Sequence, residues 1–482
     1  HNLLPLPSAL PSYLFSRTPL NHFLAPIALS VSGRQIAFNR ILQLLQVTSD
    51  FYHRFRGSAL FKDSLWALVG NALNKGLSLL GGIVVARMLG VVEYGEYGMI
   101  KTTLYYIAVF STFGLGFSVT KYIAQSKEEA DGRMHLISSA ANIISICFSG
   151  FLALLLFIFA NQVAVFLDDS SVASSLRYTS VAILFNSLAT VQIAVLAGMK
   201  EFKRTARINF YIGIITFVAS VGLTWLIGLD GAIAALAVAN FANCILNYLL
   251  IRRIIPPTTI TRAELQSQVK DLIRFSFPIA IQESTISIAY WLGSLMLVKL
   301  TDYAQVGLYS VAVQWGSIVL YIPGVLQNVM LSHLSSEASH HDSQKKMLRN
   351  LLWLNFVITL VPLLIVTPFS GLIARMYGPS YSALPPVLLI VLAGSIISCL
   401  AQVYIQAYIA ESRTWSLTTI RMIRDIGGLI FAFAMLCWIK SNGAIVYAVS
   451  ITLFRLIAVI LLAIFHRTPK VIIPDDTTTS IY

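Results

Sequence analysis

The chain has 482 residues, of which 57% are apolar (AVILMFWYC) and only 11% are charged. About a quarter of the residues of a soluble globular protein are charged, so this composition excludes a soluble multidomain enzyme and a disordered chain. Long apolar runs along most of the chain indicate a polytopic membrane protein. The net charge of +13 would suggest nucleic acid in a soluble domain, but here its meaning depends on where the charges lie.

Twelve apolar runs predict twelve membrane-spanning helices. Most runs are longer than the roughly 20 residues that a helix needs to cross a bilayer, so tilted helices are expected. The runs are continuous and do not alternate with polar residues, which favours helices over barrel strands. The predicted spans are residues 64–87, 98–120, 136–160, 177–199, 208–228, 231–251, 276–298, 305–332, 348–369, 384–410, 417–439 and 443–465.

Basic residues between the runs predict the orientation. If the first run begins in the cytoplasm, the connections on that side hold twenty Lys and Arg, and the opposite side holds five. Such an excess is typical of cytoplasmic segments, so both termini are predicted to be cytoplasmic. The positive net charge then reflects topology, and no nucleic-acid partner is expected. The five outer residues are Arg87, Arg177, Lys299, Arg375 and Lys440.

The spacing of the runs predicts the domain boundaries. The longest connection contains Pro256-Pro257 and a predicted amphipathic surface helix at 262–274. The N-terminal segment holds five prolines and one acid, which indicates a poorly ordered or non-native extension, with a transit peptide as the alternative. The predicted organisation is an N-terminal extension (1–57), an N-lobe (58–251), a cytoplasmic linker (252–275), a C-lobe (276–466) and a cytoplasmic tail (467–482).

The two sets of six spans are related by an internal duplication. Shifting the sequence by 212 residues aligns Gly95 and Tyr97 with Gly307 and Tyr309. Further matches at the same shift pair Arg87 with Lys299, Leu80-Gly81 with Leu292-Gly293 and Gly231-Ala232-Ile233 with Gly443-Ala444-Ile445. Six spans are an even number, so the two lobes should be parallel repeats about an axis along the membrane normal. Transporters of this kind bind substrate between the lobes and alternate access by rocking them.

One segment resembles a known family. Residues 86–98, with the sequence ARMLGVVEYGEYG, resemble the signature after the first helix of Wzx-type flippases for lipid-linked oligosaccharides. These form the polysaccharide branch of the multidrug/oligosaccharidyl-lipid/polysaccharide exporter superfamily, and the resemblance covers about residues 58–470. It implies an all-α, MATE-like membrane fold with about twelve helices in two six-helix lobes. The sibling lipid II flippases usually have fourteen helices.

The resemblance also implies a function and a location. Such proteins move polyprenyl-diphosphate-linked glycans from the inner to the outer leaflet of the bacterial inner membrane, for surface polysaccharides such as O-antigen or exopolysaccharide. No catalysis and no cofactor are expected. The implied partners are the glycan lipid, the bilayer and other polysaccharide assembly proteins. The lipid tail is expected to stay in the bilayer, between spans one and eight.

Polar residues inside the spans predict the substrate cavity. Asn71, Asn74, Lys75 and Ser78 have the spacing of a single helical face in span one. A charge at the depth of Lys75 costs about 2.5–3.5 kcal/mol in lipid, so it should face a cavity or a partner. Span seven, the repeat of span one, carries Gln282 and Glu283. The alternative is that Lys75 and Glu283 simply pair and neutralise each other.

The chemistry of a lipid diphosphate assigns roles to these residues. Cations bind the diphosphate, and amides bind the sugar hydroxyls. The predicted cations are Lys75, Lys101 and Arg455, although Lys101 could instead snorkel to the interface. The predicted sugar ligands are Asn71, Asn74, Gln282 and Gln314. Glu283 is predicted to carry a coupling H⁺ or Na⁺ unless it is a structural partner. Arg421, Arg424 and Asp425 are predicted to form a cytoplasmic gate, or Arg421 and Asp425 an i, i+4 pair.

Absent motifs narrow the function further. The sequence has no GxxxxGK[ST] loop, so no ATP site is expected. His333, Glu337 and His341 have the spacing of one helical face, but a solvated helix end is favoured over a metal site. Two rival functions remain, which are a cation-coupled multidrug antiporter of the same superfamily and a membrane glycan polymerase or ligase. The cationic cavity argues against the first, and the short outer loops and the duplication argue against the second.

Overall fold

The computed structural model describes residues 59–126, 132–166, 172–324, 341–411, 413–439 and 441–467. The chain divides into two units, residues 1–64 and 65–482. Only the first turns of one helix are described in the first unit, and all that follows concerns the second unit. The predictions for residues 1–57, His333, Glu337 and nearly all of the tail lie outside the described residues.

Every described element is helical. The helices are α1 (Ala59–Thr112), α2 (Leu115–Ser126), α3 (Arg133–Ile158), α4 (Ala160–Phe166), α5 (Val172–Gly198), α6 (Phe202–Ile254), α7 (Arg262–Leu300), α8 (Tyr303–Val319), α9 (His341–Tyr377), α10 (Leu384–Ala410), α11 (Thr414–Met422), α12 (Gly428–Trp438) and α13 (Gly443–Arg467). A 3₁₀ turn (Pro379–Tyr381) precedes α10, and a π-helical turn (Ile423–Gly427) joins α11 to α12.

Two of the helices each contain two of the predicted spans. At 54 residues, α1 would be about 80 Å long if straight, whereas the bilayer core is about 30 Å thick. Gly90, at φ 78°, divides α1 into two arms, and Gly228, at φ 60°, divides α6. Both positions need a positive φ that glycine adopts without a steric penalty. Within the described residues, seven helices are long and apolar enough to cross a membrane, including both kinked ones.

The outer surface of the helices is apolar. Phe151 on α3 is 60% exposed, and Leu364 on α9 is 62% exposed. Exposed tryptophans lie near span ends, with Trp225 beside the α6 kink, Trp438 at the end of α12 and Trp415 at the start of α11. Tryptophan favours the boundary between lipid and water. The chain is therefore a multi-pass membrane protein whose exposed belt suits lipid rather than water.

In the connection between the two sets of six spans, the predicted surface helix is not separate from span seven. Thr261 caps α7 in a capping box, because its hydroxyl accepts a bond from the Glu264 N–H while the Glu264 carboxylate accepts one from the Thr261 N–H. From this cap α7 continues to Leu300. The segment predicted as a surface helix at 262–274 is thus the start of the same helix that forms span seven.

Replacing Thr261 with alanine should loosen the first turn of α7. Bonds from the Thr261 backbone and hydroxyl lower the pKa of Glu264, so the cap is complete above the usual glutamate pKa and is lost as the pH falls through the lowered value. Loss of a threonine cap typically raises local opening about fivefold. Hydrogen exchange of residues 262–266 should measure this rise at neutral pH. Equal exchange in the wild type and the variant would contradict the role of the cap.

Candidate functional site

The polar face of the first arm of α1 is divided between two roles. We call the first six predicted spans the first half and the last six the second half. The Asn71 side-chain oxygen accepts a 2.8 Å bond from the Asn209 amide on α6, so Asn71 is used within the first half. Within the described residues, the hydrogen bond of Asn74 is a long 3.5 Å bond that it accepts from the Ser78 hydroxyl. Lys75 is exposed, and its Nζ lies 5.7 Å from the centre of the Tyr321 ring in the second half. Lys75 and Asn74 are therefore the members of this face with the freest polar groups.

Gln314 on α8 links the two halves. Its oxygen accepts a 3.2 Å bond from the Tyr94 hydroxyl, and its amide donates a 3.2 Å bond to the Ser78 carbonyl. Gly82 leaves the space for this amide, since a Cβ at residue 82 would collide with it. The residue predicted to bind sugar is thus engaged in protein contacts in this conformation.

The halves are closely packed on the predicted outer side. A Cβ on Gly95 would collide with the Tyr303 carbonyl, and one on Gly307 with the Val91 carbonyl. The Tyr381 hydroxyl donates to the carbonyls of Ala86 and Gly90, at 3.3 and 3.1 Å. Gly95 and Gly307 are equivalent under the 212-residue shift. The repeat thus brings matching glycines into contact, and we call this contact region the outer seal.

A second line of contacts joins the other arm of α1, together with α2, to α7. The Trp291 indole donates a 3.1 Å bond to the Thr103 hydroxyl. The Tyr106 and Tyr290 rings stack with centres 6.3 Å apart, and Phe113 packs against Phe277. These contacts extend from the predicted outer third to the predicted cytoplasmic end, so both arms of α1 help to join the halves.

A cationic cavity lies inside the second half. Its volume is about 30 Å³, which admits one or two waters but not a sugar. Arg455 on α13 lines it together with the tyrosines on α7, α8 and α13 and the Arg424–Asp425 pair. The tyrosines are Tyr290, Tyr309 and Tyr447. Gly394 on α10 makes room for Arg455, because a Cβ there would lie 3.3 Å from its Nη1.

The π-helical turn supplies an ion pair in this cavity. Arg424 binds Asp425 through two bonds, Nε–Oδ1 at 2.7 Å and Nη2–Oδ2 at 2.8 Å. A π turn is a common device for re-aiming side chains at functional sites. Arg421 interacts electrostatically with both Asp425 and Glu283. The closest cation to Asp425 is thus Arg424 rather than Arg421, and Glu283 lies near Arg421.

The charges of this arginine cluster do not cancel. We define the cluster as Arg421, Arg424 and Arg455 together with the carboxylates Asp425 and Glu283. Three cations against two anions leave one positive charge. Within the described residues, Arg455 has no carboxylate partner. An excess positive charge in a site of low dielectric constant favours an anionic ligand.

The three cations predicted for one diphosphate site lie in separate places. Lys75 lies on the first arm of α1, Arg455 lies in the cavity of the second half, and the Lys101 Nζ lies 5.6 Å from the centre of the Tyr97 ring on its own helix. Gln282 is on α7, but its side chain is outside the described residues. Among the described residues, no group of three or more His, Cys, Asp or Glu could hold a metal ion.

Sequence reasoning placed Tyr290 on the polar face of span seven but missed the other two tyrosines of the cavity. Tyr309 and Tyr447 meet edge to face with ring centres 4.9 Å apart. Tyr309 was visible only as the repeat partner of Tyr97, and Tyr447 follows the repeated Gly443-Ala444-Ile445 motif. A tyrosine in an apolar run gives no sign by itself of whether it faces lipid or a cavity, so only helix packing could identify these residues.

Comparisons with known proteins agree with this architecture. Residues 60–329, more than half of the chain, match the profile of a family described as polysaccharide biosynthesis protein. A Shigella flexneri protein, described as a candidate O-antigen transporter, is 22% identical in an alignment 340 residues long that covers 67% of this chain and 78% of that protein.

Solved structures show the same fold. The lipid II flippase MurJ, in an inward closed conformation, has a TM-score of 0.68 at 15% identity, over 84% of this chain and 87% of its own. An inward-facing multidrug resistance transporter of the MATE family, within the MOP superfamily, has a TM-score of 0.67 at 13% identity, over 83% of this chain and 97% of its own. The predicted all-α, MATE-like membrane fold is confirmed.

Proposed function

We propose that this chain, which belongs to the polysaccharide biosynthesis protein family, is a flippase for polyprenyl-diphosphate-linked oligosaccharide. It moves the repeat unit from the inner to the outer leaflet of a bacterial inner membrane, with both termini in the cytoplasm, and it catalyses no covalent step. The similarity to a candidate O-antigen transporter supports a cargo for surface polysaccharide.

The observation that carries the proposal is the arginine cluster. A diphosphate needs charge-assisted hydrogen bonds from several donors, and an arginine without a carboxylate partner offers them with little competition. Arg455 is such a residue within the described part of the chain. The 30 Å³ cavity is too small for a diphosphate, so binding must accompany a widening of the cavity around Tyr290.

Alternating access would use the two lines of contact between the halves. The outer seal must part for release, and the small residues at Gly95 and Gly307 allow tight closure between events. The contacts of α7 with α1 and α2 would serve as the hinge side. The lipid tail would remain in the bilayer between the first arm of α1 and α8.

A coupling ion would meet carboxylates that already have arginine neighbours. Asp425 is held by Arg424 at 2.7 Å, and Glu283 interacts with Arg421. A sodium ion would have to displace a guanidinium from either carboxylate, and a proton would release that guanidinium for the diphosphate. Either ion would thus couple its own binding to the availability of an arginine.

The decisive experiment is analysis of lipid-linked glycans in a strain that lacks the gene. The lipids are extracted and identified by mass spectrometry, and an external glycosidase reports the leaflet. Completed repeat units should accumulate on the inner leaflet while surface polysaccharide is lost. An unchanged lipid profile with greater sensitivity to cationic dyes would indicate a drug antiporter. Completed but unpolymerised units on the outer leaflet would indicate a polymerase or ligase.

Replacing Lys75 with alanine should reduce transport about fivefold, since a charge-assisted bond contributes roughly 1.5–3 kcal/mol and part of this is available only in the loaded state. Lys75→Arg should retain most of the activity. Lys101→Ala should reduce transport only about twofold, because the Lys101 side chain lies over Tyr97 on its own helix rather than in the cavity. Surface polysaccharide per copy of membrane-inserted protein measures all three. Full activity of Lys75→Ala would remove this residue from the site.

A further inference from the structure

The first turns of α7 carry two adjacent stripes of side chains. Leu265, Val269 and Ile273 recur every four residues and pack against the core of the first half. The residue that follows each of these three is polar, and the two of these polar residues that are cations are exposed. The polar stripe consists of Gln266, Lys270 and Arg274. An apolar stripe beside a basic stripe is typical of a helix at a membrane surface.

These stripes line a groove between α7 and α3. The groove has a volume of about 610 Å³, which is large enough for part of a lipid chain. Ile143 on α3 forms the opposite wall, and Lys270 and Arg274 are the charged residues that line the groove. None of the residues of the outer seal or the arginine cluster contributes to it, so the groove is separate from the proposed substrate path.

The groove lies at the end of a surface that faces lipid. Ile143 is 40% exposed, and along α3 it is followed by other large exposed apolar residues. These are Ile146, Phe148, Phe151, Leu154, Phe157 and Ile158. Since Arg133 begins α3 on the predicted cytoplasmic side, the groove is where the bilayer-facing strip meets the cytoplasmic headgroups.

The rim of the groove is positive. Within the described residues, neither Lys270 nor Arg274 has an ion pair or a hydrogen-bond partner for its charge. Of the nearby acids, the Glu264 carboxylate accepts bonds from Thr261. Asp271 is exposed and makes no ion pair with Arg274 in the same described region. Two uncompensated cations one helical turn apart suit a phosphate group.

We propose that this groove binds an anionic phospholipid of the cytoplasmic leaflet. One acyl chain lies along Ile143 and Val269, and the phosphate meets Lys270 and Arg274. Because α7 continues from this groove to Glu283 and Tyr290, the bound lipid fastens the start of that helix to the first half. The proposal does not depend on which glycan the protein carries.

Native mass spectrometry of the purified full-length protein in detergent micelles tests this. The probes are phosphatidylglycerol and phosphatidylcholine, titrated separately. Each juxtamembrane cation contributes about fivefold in affinity for anionic lipid, so the double variant Lys270→Gln/Arg274→Gln should bind phosphatidylglycerol about 25-fold more weakly. The matched control, Arg252→Gln/Arg253→Gln, removes two exposed cations from the end of α6 and should lose less than twofold.

A third variant separates the groove from charge alone. Ile143→Trp fills the groove without changing the net charge, and it should also displace phosphatidylglycerol. If both double variants lost the same affinity for phosphatidylglycerol, binding would depend on diffuse surface charge rather than on the groove, and the proposal would be overturned. Equal binding of phosphatidylcholine would also overturn it, as would displacement of phosphatidylglycerol by a polyprenyl diphosphate at equal concentration, which would assign the groove to the transported lipid.

Discussion

Replacing Arg455 with glutamine is expected to reduce transport at least tenfold while the protein still reaches the membrane. Arg455 lines the cavity of the second half together with Tyr309 and Tyr447. A hydrogen bond to a charged group contributes about 1.5–3 kcal/mol, and tenfold corresponds to about 1.4 kcal/mol. Since Arg455 has no carboxylate partner in the described part of the chain, its removal strands no buried anion, and folding should be little affected.

The matched control is Arg375→Gln, which removes an exposed arginine at the end of α9. It should transport like the wild type. Surface polysaccharide and inner-leaflet glycan lipid are measured in both strains, with the amount of protein in the membrane fraction determined by immunoblotting. If Arg455→Gln transported normally, the cavity would have no role in binding the diphosphate.

Substitutions in the Arg424–Asp425 pair can separate a structural role of the pair from a role of Arg424 in binding the diphosphate. A single substitution such as Asp425→Leu leaves a partly buried charge and should destabilise the fold by several kcal/mol. The double substitution Arg424→Leu/Asp425→Leu removes both charges and should restore insertion. If the pair is only structural, the double variant should insert and transport normally. If Arg424 binds the diphosphate, the double variant should insert but transport should stay low.

Replacing Gly95 with leucine is expected to abolish transport by preventing closure of the outer seal. A Cβ at this position would already collide with the Tyr303 carbonyl, and a backbone carbonyl cannot move aside as a flexible side chain can. The added side chain holds the halves apart on the predicted outer side, so the conformation with a closed outer seal should be depopulated. Gly307→Leu should have the same effect, because its Cβ would meet the Val91 carbonyl.

Gly222→Leu is the control for this substitution, since a Cβ there meets nothing within 4 Å. Accessibility is measured at Ser310→Cys, which lies against Gly98 in the seal, after replacement of the four native cysteines. An impermeant maleimide should label Cys at this position faster in the Gly95→Leu protein. Wild-type labelling and transport in that variant would show that the seal is not a gate.

The sequence predicted the fold class correctly because membrane insertion is a local property of the chain. Whether a run is apolar enough to enter lipid depends on that run alone, so the predicted spans coincide with helices throughout the described residues. The duplication likewise identified Gly95 and Gly307 as equivalent before the structure showed them in contact. The predicted spans also place Gly90 between the first two spans and Gly228 at the end of the fifth, but they do not show that each pair of spans forms one helix kinked at that glycine.

The contacts within the candidate site could be predicted from the sequence much less well than the fold class, because they depend on tertiary structure. Periodicity placed Asn71 and Lys75 on one helical face, but only packing showed that Asn71 binds Asn209 while Lys75 faces Tyr321. Sequence spacing offered an i, i+4 pair of Arg421 with Asp425 as the alternative to a gate, whereas the π turn pairs Asp425 with Arg424.

The sequence by itself determined that this is a membrane protein with polar groups in its spans, and it predicted that the last six spans repeat the first six. Only the tertiary structure decided which polar groups meet. The reason is physical. The depth of a residue in the bilayer follows from its position along one helix, but its partners follow from the rotation and tilt of neighbouring helices, and these are set by contacts such as Gly95 with Tyr303 between distant parts of the chain.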